Sequence, residues 1–99
     1  MKNIIGFEGK YFVNINGEVF SKRKNGMRIL KPISDRTGYC RVRLYRDGIR
    51  DYSNQFVHHI VMKAYGKYVE GLEVNHIDGN HGNNCLSNLE MVTKRNNMT

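Results

Sequence analysis

Two short apolar runs, residues 72–77 (Leu-Glu-Val-Asn-His-Ile) and 89–92 (Leu-Glu-Met-Val), enclose a stretch made mostly of Asp, Gly, Asn and His. The runs have the length and alternation of strands. The stretch between them is too polar to be core and too rich in side-chain donors and acceptors to be a plain linker. The end of the chain is therefore expected to fold as two strands closed over a structured polar loop, and such a loop is a candidate site.

The rest of the chain limits what that site can serve. Ninety-nine residues suffice for a single compact domain (1–99) with a modest core. Its net charge of +7 is unevenly placed: residues 1–50 carry twelve Lys or Arg against four Asp or Glu, and residues 51–99 carry four against five. Clustered cations gain by displacing counterions from phosphates, so a polyanion gripped by the first half is expected. Cys40 and Cys85 stand alone, without the spacing of a zinc site or a disulfide framework. No apolar run is long enough for a membrane span or a signal peptide. The expectation is a soluble, untargeted, intracellular chain with reduced thiols.

Residues 11–15 and 18–21 flank Asn16-Gly17, a strong hairpin signal, since that dipeptide supplies the positive φ angles of a two-residue type I′ turn. The basic run Lys22, Arg23, Lys24 leads to a strand over residues 28–33, which Pro32 marks as an edge or an end. Residues 38–45 alternate, with Val42 and Leu44 on one face and Arg41, Arg43 and Tyr45 on the other. Asp47-Gly48 reads as a further tight turn into a strand over residues 50–53. Residues 1–55 thus form a small antiparallel hairpin module, with Lys22, Arg23, Lys24, Arg41, Arg43 and Tyr45 as candidate contacts to nucleic-acid phosphates. From Phe56 to Tyr65 the apolar period becomes helical. His59 and Lys63 lie on the far side of that helix, and His58, at the margin of the stripe, reads as a packed, hydrogen-bonded residue. Residues 56–99 are this helix followed by the two strands and their loop. The fold class is α+β.

Three chemistries suit a loop of this composition. Asp78, Asn80, Gly82 and Asn84 alternate as in a calcium loop, but the positions that need Gly and a bidentate Glu hold Asn83 and Leu89. Zinc through His76, His81 and Cys85 lacks a fourth ligand and the usual spacings. The third is hydrolysis of a phosphodiester, in which a His activates water beside one hard cation. Asn80, Asn83 and Asn84 are equally well explained by turn chemistry.

The run Val74-Asn75-His76-Ile77-Asp78-Gly79-Asn80, then Asn83-Asn84, then Ser87-Asn88-Leu89-Glu90-Met91-Val92-Thr93 and Asn96-Asn97, resembles the HNH endonuclease motif of phage and intron-encoded homing endonucleases. Residues 57–65 resemble the helix that precedes the motif, and residues 11–44 resemble a small module often found before it. The resemblance implies a ββα-metal fold that hydrolyses the phosphodiester bonds of double-stranded DNA with one Mg²⁺ or Mn²⁺ per site. By position, His76 is then the general base, Asn75 and Asn97 hold the metal, and Asn88 fixes the loop and helps orient the His. A neutral imidazole and amide oxygens are chemically suited to these tasks.

The resemblance further implies a phage-encoded enzyme in the cytoplasm of a bacterial host, acting as a monomer or weak dimer. Many members carry Asp in place of Asn75, whose missing charge weakens magnesium binding. Strict alternation sends Asn75 and His76 to opposite faces, so the strand is expected to end or bulge there. A helix capped by Thr93 is expected to carry Asn97. The alternative reading is a DNA-binding module that keeps the HNH fold without its chemistry.

Overall fold

The computed structural model describes residues 1–46 and 51–94. The turn expected at Asp47-Gly48, the start of the strand at Arg50, and the terminal helix with Asn97 lie outside them.

Four strands, β1 (Lys2–Asn3), β2 (Tyr11–Val13), β3 (Val19–Arg23) and β4 (Gly26–Leu30), form an antiparallel sheet in that order. The β2–β3 hairpin is where Asn16-Gly17 predicts it, with Tyr11 opposite Ser21 and Val13 opposite Val19. Its turn is different. Asn14 N–H bonds Glu18 O (3.1 Å) and Gly17 N–H bonds Asn14 O (3.0 Å), so the loop is Ile15-Asn16-Gly17. Gly17 alone of the three takes positive φ (+81°), the pattern of a three-residue loop closed by a left-handed glycine. Asn14 Oδ1 accepts the N–H groups of Asn16 and Glu18, which favours this longer turn over the type I′.

β4 ends before Pro32, and the chain passes to a second antiparallel sheet of β5 (Ile33–Ser34), β6 (Cys40–Tyr45) and β7 (Tyr52–Phe56). In β6, Val42 and Leu44 are buried while Arg43 and Tyr45 are exposed, as the alternation predicts. The third sheet pairs β8 (Glu73–His76) with β9 (Leu89–Val92).

The helix α1 (Val57–Ala64) joins the three sheets. It has eight residues, no side-chain cap and no acidic first turn, too little to be stable alone, so packing must hold it. Val57, Ile60, Val61 and Met62 supply that packing, meeting Val13 and Val19 of the first sheet, Val42 and Leu44 of the second, and Val74 and Leu89 of the third in one core. Each such side chain contributes roughly 1.5–3 kcal/mol by leaving water. The helix stops at Gly66, whose φ of +69° lets Lys67 N–H reach back to Met62 O (2.8 Å).

His58 is packed, as expected, at 5% exposure, but the hydrogen bond expected of it is missing at Nδ1, which has no partner among the described residues. Burial first, and then the neighbouring His59, His76 and His81, push its pKa down to about 3, so it is a neutral ring packed as an aromatic.

Candidate active site

The polar loop is braced by one carboxylate. Asp78 Oδ1 accepts Asn80 N–H (2.8 Å) and Asn88 Nδ2–H (2.9 Å), and Asp78 Oδ2 accepts Asn83 Nδ2–H (2.9 Å). These donors, that of Asn83 foremost, hold the Asp78 carboxyl below its ordinary range. Asn88 is buried at the centre. Its Nδ2 also bonds Asn83 O (2.9 Å), its Oδ1 accepts Asp78 N–H (3.1 Å), and its backbone oxygen accepts Ile77 N–H (2.8 Å). Asn88 thus ties both ends of the loop together and touches the candidate base only through it. Asn80 and Asn83 perform the turn chemistry expected of them.

Asn84 does more than turn chemistry. It is 6% exposed, and its Oδ1 lies 2.9 Å from Nε2 of His76, itself 4% exposed. An amide oxygen only accepts, so Nε2 carries the hydrogen and Nδ1 keeps its lone pair in the neutral ring. The Asn83-Asn84 pair was the available sequence signal. Its composition does not distinguish a turn former from a partner of His76, because only the folded loop decides which way Asn84 points.

His76 does not stand alone. Its ring lies 5.8 Å from Tyr39, 5.0 Å from His58 and 5.4 Å from His81, centroid to centroid. His81 stacks on Tyr39 at 4.0 Å and 5°, and its Nδ1 lies 2.7 Å from Thr37 O. A carbonyl only accepts, so His81 holds its hydrogen on Nδ1 and Nε2 is the unprotonated nitrogen of the neutral ring. Thr37 and Tyr39 are presented by a turn built on Asp35, which accepts Thr37 N–H, Thr37 O–H and Tyr39 N–H. Those bonds hold the Asp35 carboxyl below its ordinary range, the Thr37 hydroxyl contributing most. The segment before β6 is therefore part of the site wall, a role that sequence reading missed.

Tyr39, Asn75, His76, Ile77, Gly79 and His81 line a cavity of about 360 Å³. No bulge separates Asn75 from His76: the register runs unbroken, Asn75 opposite Glu90 and His76 opposite Leu89. Alternation therefore holds, yet both residues line the one cavity, at the point where β8 ends. Asn75 Nδ2 donates to Glu90 Oε2 (2.8 Å). An ionised carboxylate only accepts, so the amide oxygen of Asn75 is left over as a hard donor, of the kind that suits Mg²⁺ or Mn²⁺ completed by water and phosphate oxygens. No group of three His, Cys, Asp or Glu side chains is arranged for a metal among the described residues.

The candidate DNA contacts fall on two sheets. Lys22 and Arg23 on β3 and Lys24 in the following turn are exposed. Arg43 and Tyr45 are exposed on β6, with the Arg43 guanidinium 4.8 Å from the Tyr52 ring centre. Arg41 is half-buried, paired with Asp35 at 3.3 Å and set over Phe56.

Two antiparallel strands closed over a loop that fixes a histidine, preceded by a helix and a basic β module, define an HNH-type α+β fold, and the chain carries an HNH endonuclease domain. Residues 55–99 match the HNH endonuclease family and residues 2–45 match the NUMOD4 motif. The chain is 39% identical over 95 residues to the DNA endonuclease I-HmuI of Bacillus phage SP01, covering 95% of this chain and 52% of that protein. It is 36% identical over 89 residues to an uncharacterized HNH endonuclease of Acanthamoeba polyphaga mimivirus, covering 89% of this chain and 26% of that protein. A solved structure titled for DNA binding and cleavage by the HNH homing endonuclease I-HmuI superposes with a TM-score of 0.85 at 40% identity, over 97% of this chain and 53% of that one. The chain therefore spans about half the length of the phage relative and about a quarter of the viral one.

Proposed function

We propose that the chain is a DNA endonuclease that hydrolyses phosphodiester bonds in double-stranded DNA, with His76 as general base. The observation that carries this reading is the pairing of His76 Nε2 with Asn84 Oδ1. It commits the hydrogen to one ring nitrogen and leaves the other as a base in a cavity shared with Asn75 and His81. His76 Nδ1 takes a proton from the attacking water. Asn88 keeps the loop closed, so that Asn84 stays in place.

Asn75, with Asn97 from the terminal segment, would hold one Mg²⁺ or Mn²⁺. Such an ion, when bound, neutralises charge on the phosphate and on the departing oxygen. Residues 1–55 supply the grip, with Lys22, Arg23, Lys24, Arg43 and Tyr45 against phosphates and Arg41 helping to fix Asp35 and the site wall. One site cuts one strand per visit, so a monomer nicks, and a double-strand break takes two protomers or two visits. Likeness to a phage protein supports a phage-encoded enzyme working in a bacterial host cell.

Incubation with supercoiled plasmid tests the reading. With Mg²⁺ or Mn²⁺ the expected product is open-circular DNA, and a chelator should prevent it. Intact plasmid that is nonetheless shifted on a gel would overturn the nuclease and leave an inactive DNA-binding module.

A further inference from the structure

β9 places Glu90 directly across the ladder from Asn75, and the two side chains meet at 2.8 Å, Nδ2 to Oε2. A primary amide has two faces of opposite character, a donor NH₂ and an acceptor oxygen, and a half-turn about its last bond exchanges them. Where this amide is to serve a cation, only one of the two orientations is productive. A neighbour that can only accept selects that orientation, because the flipped amide would set oxygen against oxygen. Glu90 is such a neighbour. It is exposed and is not among the residues lining the cavity, so it acts on the site through Asn75.

We infer that Glu90 is a positioning residue that holds the Asn75 amide with its oxygen turned to the cation. The inference rests on Asn75 being a metal ligand. Asp at position 75 beside Glu90 would set two like charges across the ladder, which is destabilising.

Mn²⁺ titration of the full chain, followed by paramagnetic broadening of the backbone amide signals of residues 74–79, reads metal affinity without any cutting. Glu90→Lys presents only donors, so it should turn the amide over and weaken Mn²⁺ binding roughly tenfold or more, the scale seen when a partner of a metal ligand is removed. Glu90→Gln, which can still accept, should lose less. In Asn75→Asp/Glu90→Lys an oxygen faces the ion whichever way the side chain turns, and the introduced ammonium becomes its ion-pair partner, so affinity should return. Position 90 is exposed, and the variants should show unchanged amide dispersion outside β8 and β9. If Asn75→Ala leaves Mn²⁺ broadening as in wild type, Asn75 is not a ligand and the metal reading fails with this one. If Asn75→Ala abolishes it while Glu90→Lys and Glu90→Gln bind as wild type, or if the double variant binds no better than Glu90→Lys, the positioning role alone is overturned.

Discussion

Asn84 Oδ1 sits 2.9 Å from His76 Nε2, with both residues buried. This bond sets the hydrogen of the ring and hence the nitrogen available to act as base. Asn84→Ala leaves a buried N–H without an acceptor, at a cost of about 1–3 kcal/mol. Urea denaturation should show that loss. Cleavage under single-turnover conditions should fall about 10²-fold, the scale of a misplaced catalytic group. Asn84→Asp keeps an acceptor and should retain most of the rate.

The tip of the first hairpin touches Asn84 from behind. Leu86 N–H bonds Ile15 O at 2.7 Å, and a Cβ built at Gly17 would lie 2.6 Å from Asn84 O. Gly17→Ala therefore combines backbone strain with a clash that pushes on the partner of His76. Gly9 has the same φ of +81° and nothing within 4 Å, so Gly9→Ala carries the strain alone. Gly17→Ala should be the less stable of the two by roughly 1–3 kcal/mol, the usual cost of overpacking, as read from their unfolding midpoints. It should also slow cleavage more than it weakens DNA binding.

The buried, neutral His58 makes stability depend on pH. Its pKa is about 3 in the folded chain and rises to about 6.5 on unfolding, so between those values the unfolded state binds the extra proton. Its contribution to stability is complete above about pH 6.5 and declines progressively as pH falls toward 3. His59, whose pKa burial also lowers, adds in the same direction. Asp35 and Asp78, held below the ordinary carboxylate range, give up their contributions only at more acid pH. Urea unfolding from pH 7 to 4 should show falling stability, and His58→Phe should flatten most of that slope.

Much of the architecture is legible in the sequence because it rests on local periods. Val42 and Leu44 alternate inward, residues 57–64 repeat at helical spacing, and Asn16-Gly17 marks a hairpin. The candidate site is legible only in part. His76 and Asn88 stand out by the resemblance of the surrounding run to the HNH motif, and each is held by contacts that the run does not encode. Asn84 looks like any loop asparagine until the loop is folded. The stack of Tyr39 on His81 joins residues far apart in the chain, so no local pattern announces it. Gly17 reads as a turn glycine, although its packing against Asn84 is as demanding as its φ.

The grip on DNA can be measured apart from cutting. Lys22, Arg23 and Lys24 are exposed and make no salt bridge among the described residues, whereas Arg41 is committed to Asp35. Changing Lys22, Arg23 and Lys24 together to Gln should reduce the slope of log affinity against log salt by roughly 0.9 for each phosphate no longer neutralised. An unchanged slope would move the DNA face away from β3. Arg41→Gln should act differently, disturbing the Asp35 turn and slowing cleavage more than binding.

The proposed function places the chemistry on His76, and the decisive measurement is the single-turnover nicking rate of His76→Ala beside its DNA affinity. Loss of a general base should lower the rate by about 10²-fold or more while DNA binding stays as in wild type. A variant that binds DNA normally and nicks it at the wild-type rate would contradict the assignment of His76 as the base.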